Sequence, residues 1–168
     1  DPEVVTGRGA GLDHAGLRRK IEVIKEGIRI HRPDPSAGID VLSKVGGLDL
    51  AALTGFYLGC AYWRIPVVLD GLITGAAALA AVKLCLAVAD YLLASHVSAE
   101  PAGQAVLSSL GLKAAIQAGM CLGEGTGAAA FFPMLDMALT IYSKMDTFQD
   151  IQVKPYCHFE EDKNEDKE

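Results

Sequence analysis

Aromatic residues are scarce in this sequence. They make up 7% of its 168 residues, whereas hydrophobic residues make up 51% and glycine occurs 18 times. This composition argues against a core built on large rings and favours close backbone packing, as where helices lie on a parallel sheet. The length suits one domain with a substantial core.

Closely spaced cysteines are also lacking. Cys60, Cys85, Cys121 and Cys157 are widely separated, with no CxxC pair and no histidine at a metal-ligand interval. This pattern argues against a disulfide framework and a zinc site, and it favours a reducing compartment. We therefore expect a cytoplasmic protein that uses no metal and no cofactor.

An excess of basic residues is absent as well. The formal net charge is −6, and residues 160–168 carry six acidic residues against two lysines. The remainder is close to neutral, which argues against a nucleic-acid partner. We expect residues 1–150 to form the folded domain and residues 151–168 to be an acidic, disordered tail.

No basic segment followed by an apolar one opens the sequence, so we expect no secretory signal. Residues 72–94 form the most apolar stretch, but Lys83 and Asp90 interrupt it. A buried helix followed by a strand is therefore favoured over a membrane span.

Apolar runs and helical periodicity alternate along the chain, which predicts an α/β fold. Strands are predicted at 66–69 and 91–94, and residues 1–5 read as the end of another. We expect a Rossmann-like parallel sheet with helices on both faces, incomplete at its N-terminal side. The predicted helices span 14–30, 38–45, 49–62, 74–88, 102–110 and 128–145, the last with Pro133 in or near its first turn, and further helical packing is predicted at 114–120.

Three polar or glycine-rich turns are predicted to follow strands, at residues 7–11, 70–71 and 95–100. Ligands of parallel sheets bind beyond the carboxyl ends of the strands, and exposed backbone N–H groups in such turns suit a phosphate. Glycine turns also serve backbone geometry alone, so both interpretations stay open.

Glu124 lies between Gly123 and Gly125, immediately before a predicted apolar helix. A carboxylate flanked by glycines is open to a ligand, but it also complements a helix dipole, and composition alone favours that capping interpretation. Lys20 is equally consistent with a solvated helix face or a phosphate contact. His96, after a buried strand, fits a structural histidine as well as an acid or base.

Five segments in sequence order resemble one family closely. They are VTGRGAGLD from Val5, PSAGIDVLSKVGGLDL from Pro35, IPVVLDGLITGAAALAA from Ile65, SHVSAEP from Ser95 and LGEGTGAA from Leu122. The family is nicotinate-nucleotide–dimethylbenzimidazole phosphoribosyltransferase, and the similarity runs from about residue 4 to residue 148, which corresponds to its C-terminal half.

The resemblance implies transfer of phosphoribose from nicotinate mononucleotide to 5,6-dimethylbenzimidazole, which gives α-ribazole 5′-phosphate and nicotinate for cobalamin synthesis. It implies that Glu124 is the catalytic base. Residues implied to bind substrate are Gly9, Lys20, Ser98, Leu122 and Gly123. A homodimer is implied too, and the apolar helices 49–62 and 128–145 are the candidate contacts.

The sequence departs from the family in lacking the N-terminal half, which carries much of the benzimidazole pocket. The acidic tail is not a recognised family feature either. The alternative is therefore a non-catalytic relative or subunit that retains the nucleotide pocket without the reaction. Asp70 and Glu100 match motif positions, and structural roles are open for both.

Overall fold

The computed structural model describes residues 1–9 and 11–154. The carboxyl-terminal residues 155–168, on which most of the predicted acidic tail falls, lie outside the described residues, and the predicted domain limits stay a prediction. The elements are α1 (Pro2–Val5), α2 (His14–His31), α3 (Gly38–Val45), α4 (Leu48–Tyr62), β1 (Val67–Leu69), α5 (Leu72–Leu84), a 3₁₀ helix (Leu86–Tyr91), β2 (Leu92–Ala94), α6 (Gly103–Ser109) and α7 (Thr126–Lys144).

The two strands pair in parallel, with Val67 opposite Leu92 and Leu69 opposite Ala94. Along each strand, buried residues flank a partly buried one, so one face is buried and the other is partly covered. Their short apolar sequences fit this environment. The prediction of an α/β fold with a parallel sheet and surrounding helices is confirmed, whereas the Rossmann-like assignment stays a prediction.

Residues 114–120 do not form the predicted helical segment. Ile116 instead forms a parallel bridge with His96, in which the Val97 N–H donates to Ile116 O (3.0 Å) and the Ile116 N–H donates to Ser95 O (3.1 Å). The alanine-rich composition suggested a helix, but pairing with the chain beyond β2 satisfies the backbone in an extended form.

Residues 1–5 are not the end of a strand but one helical turn. Asp1 caps this turn by accepting a hydrogen bond from the Glu3 N–H (3.0 Å), and Pro2 occupies the first helical position, where it is favoured. The first glycine turn therefore follows a helix. Lys25 of α2 pairs with Glu3, and this hydrogen bond holds the pKa of the Glu3 carboxyl below its ordinary value.

The helix predicted at 74–88 begins at Leu72 and ends at Leu84, so the apolar stretch 72–94 is a helix, a 3₁₀ helix and a strand. Cys85 takes an extended conformation, and the 3₁₀ helix after it buries Val88 in the core. No described helix has the length and apolarity required to traverse a lipid bilayer.

The core lies between α4, α5 and the strands. Ala77, Ala78 and Ala81 of α5 are fully buried, and their small side chains permit close approach of α4. The hydroxyl of Thr54 donates to Leu50 O (2.8 Å) and lies 3.2 Å from Ala77 O, which satisfies this buried polar group between the two helices.

The chain divides into two compact units, one ending at Pro133 and one beginning at Met134, and the boundary falls within α7. Pro133 is the eighth residue of α7 rather than a residue of the first turn, so that prediction was wrong. Proline has no N–H, and the carbonyl of Ala129 therefore lacks its usual helical donor at this boundary.

Candidate active site

An open cavity of about 820 Å³ lies in the first unit, next to the residues that follow β1 and β2. The predicted turn segments at residues 7–11, 70–71 and 95–100 all contribute to its wall, and a fourth segment, 121–125, completes it. Lys20 and Ile24 of α2 line it as well. Alignment of β1 and β2 in parallel brings their carboxyl ends to one edge, as ligand sites of α/β proteins require.

The structure brings together all of the residues predicted to form the site. The cavity is lined by Gly9, Lys20, Ser98, Leu122, Gly123 and Glu124. Their common location follows from the fold, whereas the role of each residue stays a prediction. Asp70, His96 and Glu100, to which the sequence assigned no firm role, line the same cavity.

The first glycine turn is held from two sides. The Lys20 ammonium donates to Gly7 O (2.9 Å), and a Cβ atom at Gly7 would overlap the Glu100 carboxylate. Gly9 adopts a positive φ of 58°, which suits glycine, and a Cβ there would stand 3.7 Å from Lys20 Nζ. The turn, Lys20 and the segment after β2 therefore form one packed wall of the cavity.

Glu124 occupies a tight turn of unusual handedness. The Thr126 N–H donates to Gly123 O (3.0 Å), and the two central residues, Glu124 and Gly125, have φ values of 55° and 80°. Positive φ at both central positions is the pattern of a type I′ turn. Glutamate is disfavoured there, which marks the position as a candidate functional site.

We expect Glu124→Asn to raise the free energy of unfolding by roughly 0.5–1 kcal/mol, because asparagine is several-fold enriched in the left-handed region. Urea unfolding of the variant and the wild type measures this difference. A matched substitution at Glu22, an exposed residue of α2, serves as the control, and helix propensity predicts no stabilisation there. A Glu124→Asn variant less stable than the wild type would contradict the assignment of strain.

The Glu124 carboxylate is exposed and accepts no hydrogen bond from any described residue, although it borders the cavity. A carboxylate in this state is available to a proton donor brought by a ligand. Glu124 shares the cavity wall with residues that follow β1 and β2, and its catalytic role stays a prediction.

Asp70 connects β1 to the turn that carries Glu124. Its Oδ2 accepts from the Gly125 N–H (3.1 Å), and its Oδ1 accepts from the N–H groups of Gly127 (2.8 Å) and Ala128 (3.2 Å). The carboxylate thus caps the N-terminus of α7 from a distant part of the chain. Sequence analysis missed this role, because the 55 to 58 residues between the partners leave no local signal.

His96 is buried beside Asp70, with its Nδ1 3.0 Å from the Ser95 hydroxyl oxygen. The Ser95 hydroxyl donates to Leu69 O (2.6 Å), so the imidazole must be the donor in the contact with Ser95. This assigns the proton of neutral His96 to Nδ1. The His96 ring and the Asp70 carboxylate leave little space at Gly127. A Cβ atom there would overlap His96 Nδ1 and stand 3.0 Å from Asp70 Oδ1.

Within residues 1–9 and 11–154, no group of three His, Cys, Asp or Glu side chains is arranged to hold a metal ion. The cavity wall instead combines one lysine, Lys20, with carboxylates, hydroxyls and exposed backbone. Cys60, Cys85 and Cys121 are free thiols. The arrangement suits binding of a phosphorylated ligand near Lys20 and acceptance of a proton at Glu124.

Comparison with known proteins agrees with this arrangement. A family model described as a phosphoribosyltransferase matches residues 1–153. Proteins named nicotinate-nucleotide–dimethylbenzimidazole phosphoribosyltransferase from Desulforamulus reducens and Roseiflexus sp. are 50% and 51% identical to the chain, over 90% and 86% of its length. The chain belongs to the nicotinate-nucleotide–dimethylbenzimidazole phosphoribosyltransferase family.

The fold of a solved relative is also similar. The crystal structure of CobT from Thermus thermophilus superimposes with a TM-score of 0.83 at 38% identity, and covers 92% of this chain. The chain spans 46% of that protein and 43% and 41% of the two relatives above, so it corresponds to less than half of each. The matched part is the C-terminal half, as the resemblance had implied.

Proposed function

We propose that this chain supplies the catalytic carboxylate and the phosphate-binding turns of an enzyme that transfers phosphoribose from nicotinate mononucleotide to 5,6-dimethylbenzimidazole. The products are α-ribazole 5′-phosphate and nicotinate, and the reaction takes place in the cytoplasm. The observation that carries this proposal is the presence of Glu124, Lys20, Ser98 and the turn at Gly9 around one cavity.

In the proposed complex, the phosphate of nicotinate mononucleotide lies between Lys20 and the glycine turns. The Lys20 ammonium supplies positive charge, and backbone N–H groups near Gly9 and Gly123 supply donors. The Ser98 hydroxyl adds a further polar contact. Leu122, which is 72% exposed, contributes an apolar surface for an aromatic ring.

The proposed reaction needs a base but no general acid. One nitrogen of dimethylbenzimidazole attacks C1′ while the C1′–nitrogen bond to nicotinate breaks, and the bonding electrons neutralise the pyridinium nitrogen. The proton on the second benzimidazole nitrogen passes to the Glu124 carboxylate. Attack from the face opposite nicotinate inverts C1′ and gives the α-linked product, while the carboxylate stabilises positive charge that develops on the base.

Nicotinate release tests the proposal directly. The product of the complete natural reading frame is incubated with nicotinate mononucleotide, with and without dimethylbenzimidazole, and nicotinate and α-ribazole 5′-phosphate are quantified. Release that depends on dimethylbenzimidazole supports the proposal. Calorimetric binding of nicotinate mononucleotide with no turnover would instead support a non-catalytic binding protein.

We expect Lys20→Ala to raise KM for nicotinate mononucleotide about 10-fold or more and to change kcat little, since a hydrogen bond to a charged group contributes roughly 1.5–3 kcal/mol. Initial rates over a range of nucleotide concentrations measure both constants. Arg19→Ala, on the same helix but outside the cavity wall, is the matched control. An unchanged KM would remove Lys20 from the phosphate site.

We also propose that the active protein is a homodimer. Support comes from α4, on which Leu48, Phe56 and Tyr62 are 91%, 58% and 79% exposed, and separately from the exposed Met137 and Ile141 of α7. Exposed apolar side chains in such number are typical of interaction surfaces. Light scattering coupled to gel filtration measures the mass in solution, and a monomer would contradict the proposal.

A further inference from the structure

The turn that carries Glu124 has few attachments to the rest of the fold. Upstream, the Ala99 N–H donates to Met120 O (2.9 Å); downstream, the next bond that leaves the segment is from Gly125 to Asp70. Between them, a described backbone bond closes the turn on itself, from Thr126 to Gly123, and the Gly125 carbonyl accepts from the Ala129 N–H of α7 (2.8 Å). Glu124 therefore lies in a short segment, residues 121–124, that is fixed by hydrogen bonds at Met120 and at Gly125.

The downstream attachment is the closer one to the carboxylate. Gly125 follows Glu124 directly, and its N–H meets Asp70, which follows β1 in the chain. The other carboxylate oxygen of Asp70 bonds to Gly127 and Ala128 in the first turn of α7. Asp70 thus makes two separable contacts, one with the turn of Glu124 and one with the helix start.

We propose that Asp70 is a positioning residue for Glu124, which it holds at the cavity through the Gly125 N–H. The inference rests on the proposed function, in which Glu124 accepts the proton, and adds the residue that fixes where the acceptor stands. Asp70 itself does not exchange a proton with the substrate in this scheme. Its effect on the rate therefore passes through Glu124 alone.

Asparagine at position 70 separates the two contacts. When its single carbonyl oxygen faces Gly127 and Ala128, asparagine retains both helix-cap hydrogen bonds. Its NH₂ group then faces the Gly125 N–H, and because both groups are donors, no hydrogen bond forms between them. The opposite orientation would keep one bond and lose two. Asp70→Asn is therefore expected to leave the start of α7 capped and to release Gly125.

We expect Asp70→Asn to lower kcat about 10- to 100-fold, since a displacement of about 1 Å at a reacting group has an effect of this size. KM for nicotinate mononucleotide is expected to change less than kcat, because Lys20 and the first glycine turn are untouched and only the donors near Gly123 lie in the released turn. Asp40→Asn is the matched control: its carboxylate also accepts a backbone N–H, from Asp34 (2.7 Å), but lies outside the cavity wall.

A double-mutant cycle distinguishes positioning from a general structural role. If Asp70 acts only through Glu124, adding Asp70→Asn to Glu124→Gln lowers kcat no further. Two independent, multiplying losses would overturn the proposal, as would a single Asp70→Asn variant with wild-type kcat. All rates are measured on the product of the complete natural reading frame.

Amide hydrogen exchange tests the same contact without activity. In Asp70→Asn, exchange at Gly125 is expected to accelerate at least several-fold while Gly127 and Ala128 stay protected. Unchanged protection at Gly125 would overturn the proposal even if kcat fell. A wild-type protein that releases no nicotinate would refute the proposed function, and the exchange result would still decide whether Asp70 holds the turn.

Discussion

Glu124→Gln is expected to lower kcat for nicotinate release by about 10²–10⁴-fold, the usual contribution of a positioned general base. Glutamine has nearly the same size as glutamate and a similar energetic cost in the left-handed backbone conformation. It cannot accept a proton near neutral pH, so the second benzimidazole nitrogen would have to release its proton to water. The loss is expected in kcat, with KM for nicotinate mononucleotide little affected.

The substitution should leave the fold intact. The Glu124 side chain is exposed and makes no hydrogen bond within the described residues, so the free energy of unfolding should stay within about 0.5 kcal/mol, as is usual for surface changes. Kinetics and urea unfolding are therefore measured on the same preparations. Glu22→Gln, an exposed residue of α2 outside the cavity, controls for loss of a carboxylate.

Near-normal turnover of Glu124→Gln would show that this carboxylate does not take part in the reaction. Its charge would then be interpreted as complementing the dipole of the helix that follows. A loss of activity accompanied by a large loss of stability would also count against the assignment. In that case the side chain would have a structural role that its exposure does not indicate.

Gly127→Ala is expected to destabilise the protein by about 1–3 kcal/mol, the usual effect of forcing an extra methyl group into a packed site. The new Cβ would overlap both Nδ1 and Cε1 of the His96 ring. His96 is buried and its Nδ1 bonds to Ser95, so the ring has little room to retreat. The start of α7 must shift instead.

This shift should also reduce activity, because Gly127 and Gly125 share the carboxylate of Asp70. Urea unfolding and kcat are both measured. Gly55→Ala in α4 is the control: apart from its chain neighbours and the backbone of its own helix, no described atom lies within 4 Å of the place that its Cβ would take, and alanine there should stabilise the helix by about 0.5–1 kcal/mol. Equal stability of the Gly127→Ala variant and the wild type would show that the His96–Gly127 contact is looser than described.

Local sequence signals predicted most of the elements. The predicted start of α2 at residue 14 is the one observed, with the Asp13 side chain accepting from the Gly16 N–H (2.6 Å), and the predicted limits of α3 are also those observed. The apolar runs before Asp70 and Ser95 became β1 and β2. These signals are reliable because capping, periodicity and strand burial act over a few neighbouring residues.

Predictions failed where distant contacts decided the conformation. Residues 114–120 have the composition of a helix, yet Ile116 pairs with His96 in an extended form. Residues 1–5 resembled a strand end, although Asp1 and Pro2 together carry a helix-start signal.

By itself, then, the sequence determined the α/β class, the family, and the presence of a glycine-flanked glutamate before an apolar helix. Only the tertiary structure showed that the Asp70 carboxylate accepts from the Gly125 N–H beside Glu124, and that a Cβ at position 127 would overlap the His96 ring. The physical reason is that a bond between groups 55 residues apart depends on how β1 and the start of α7 are placed together. No local pattern of residues encodes that placement.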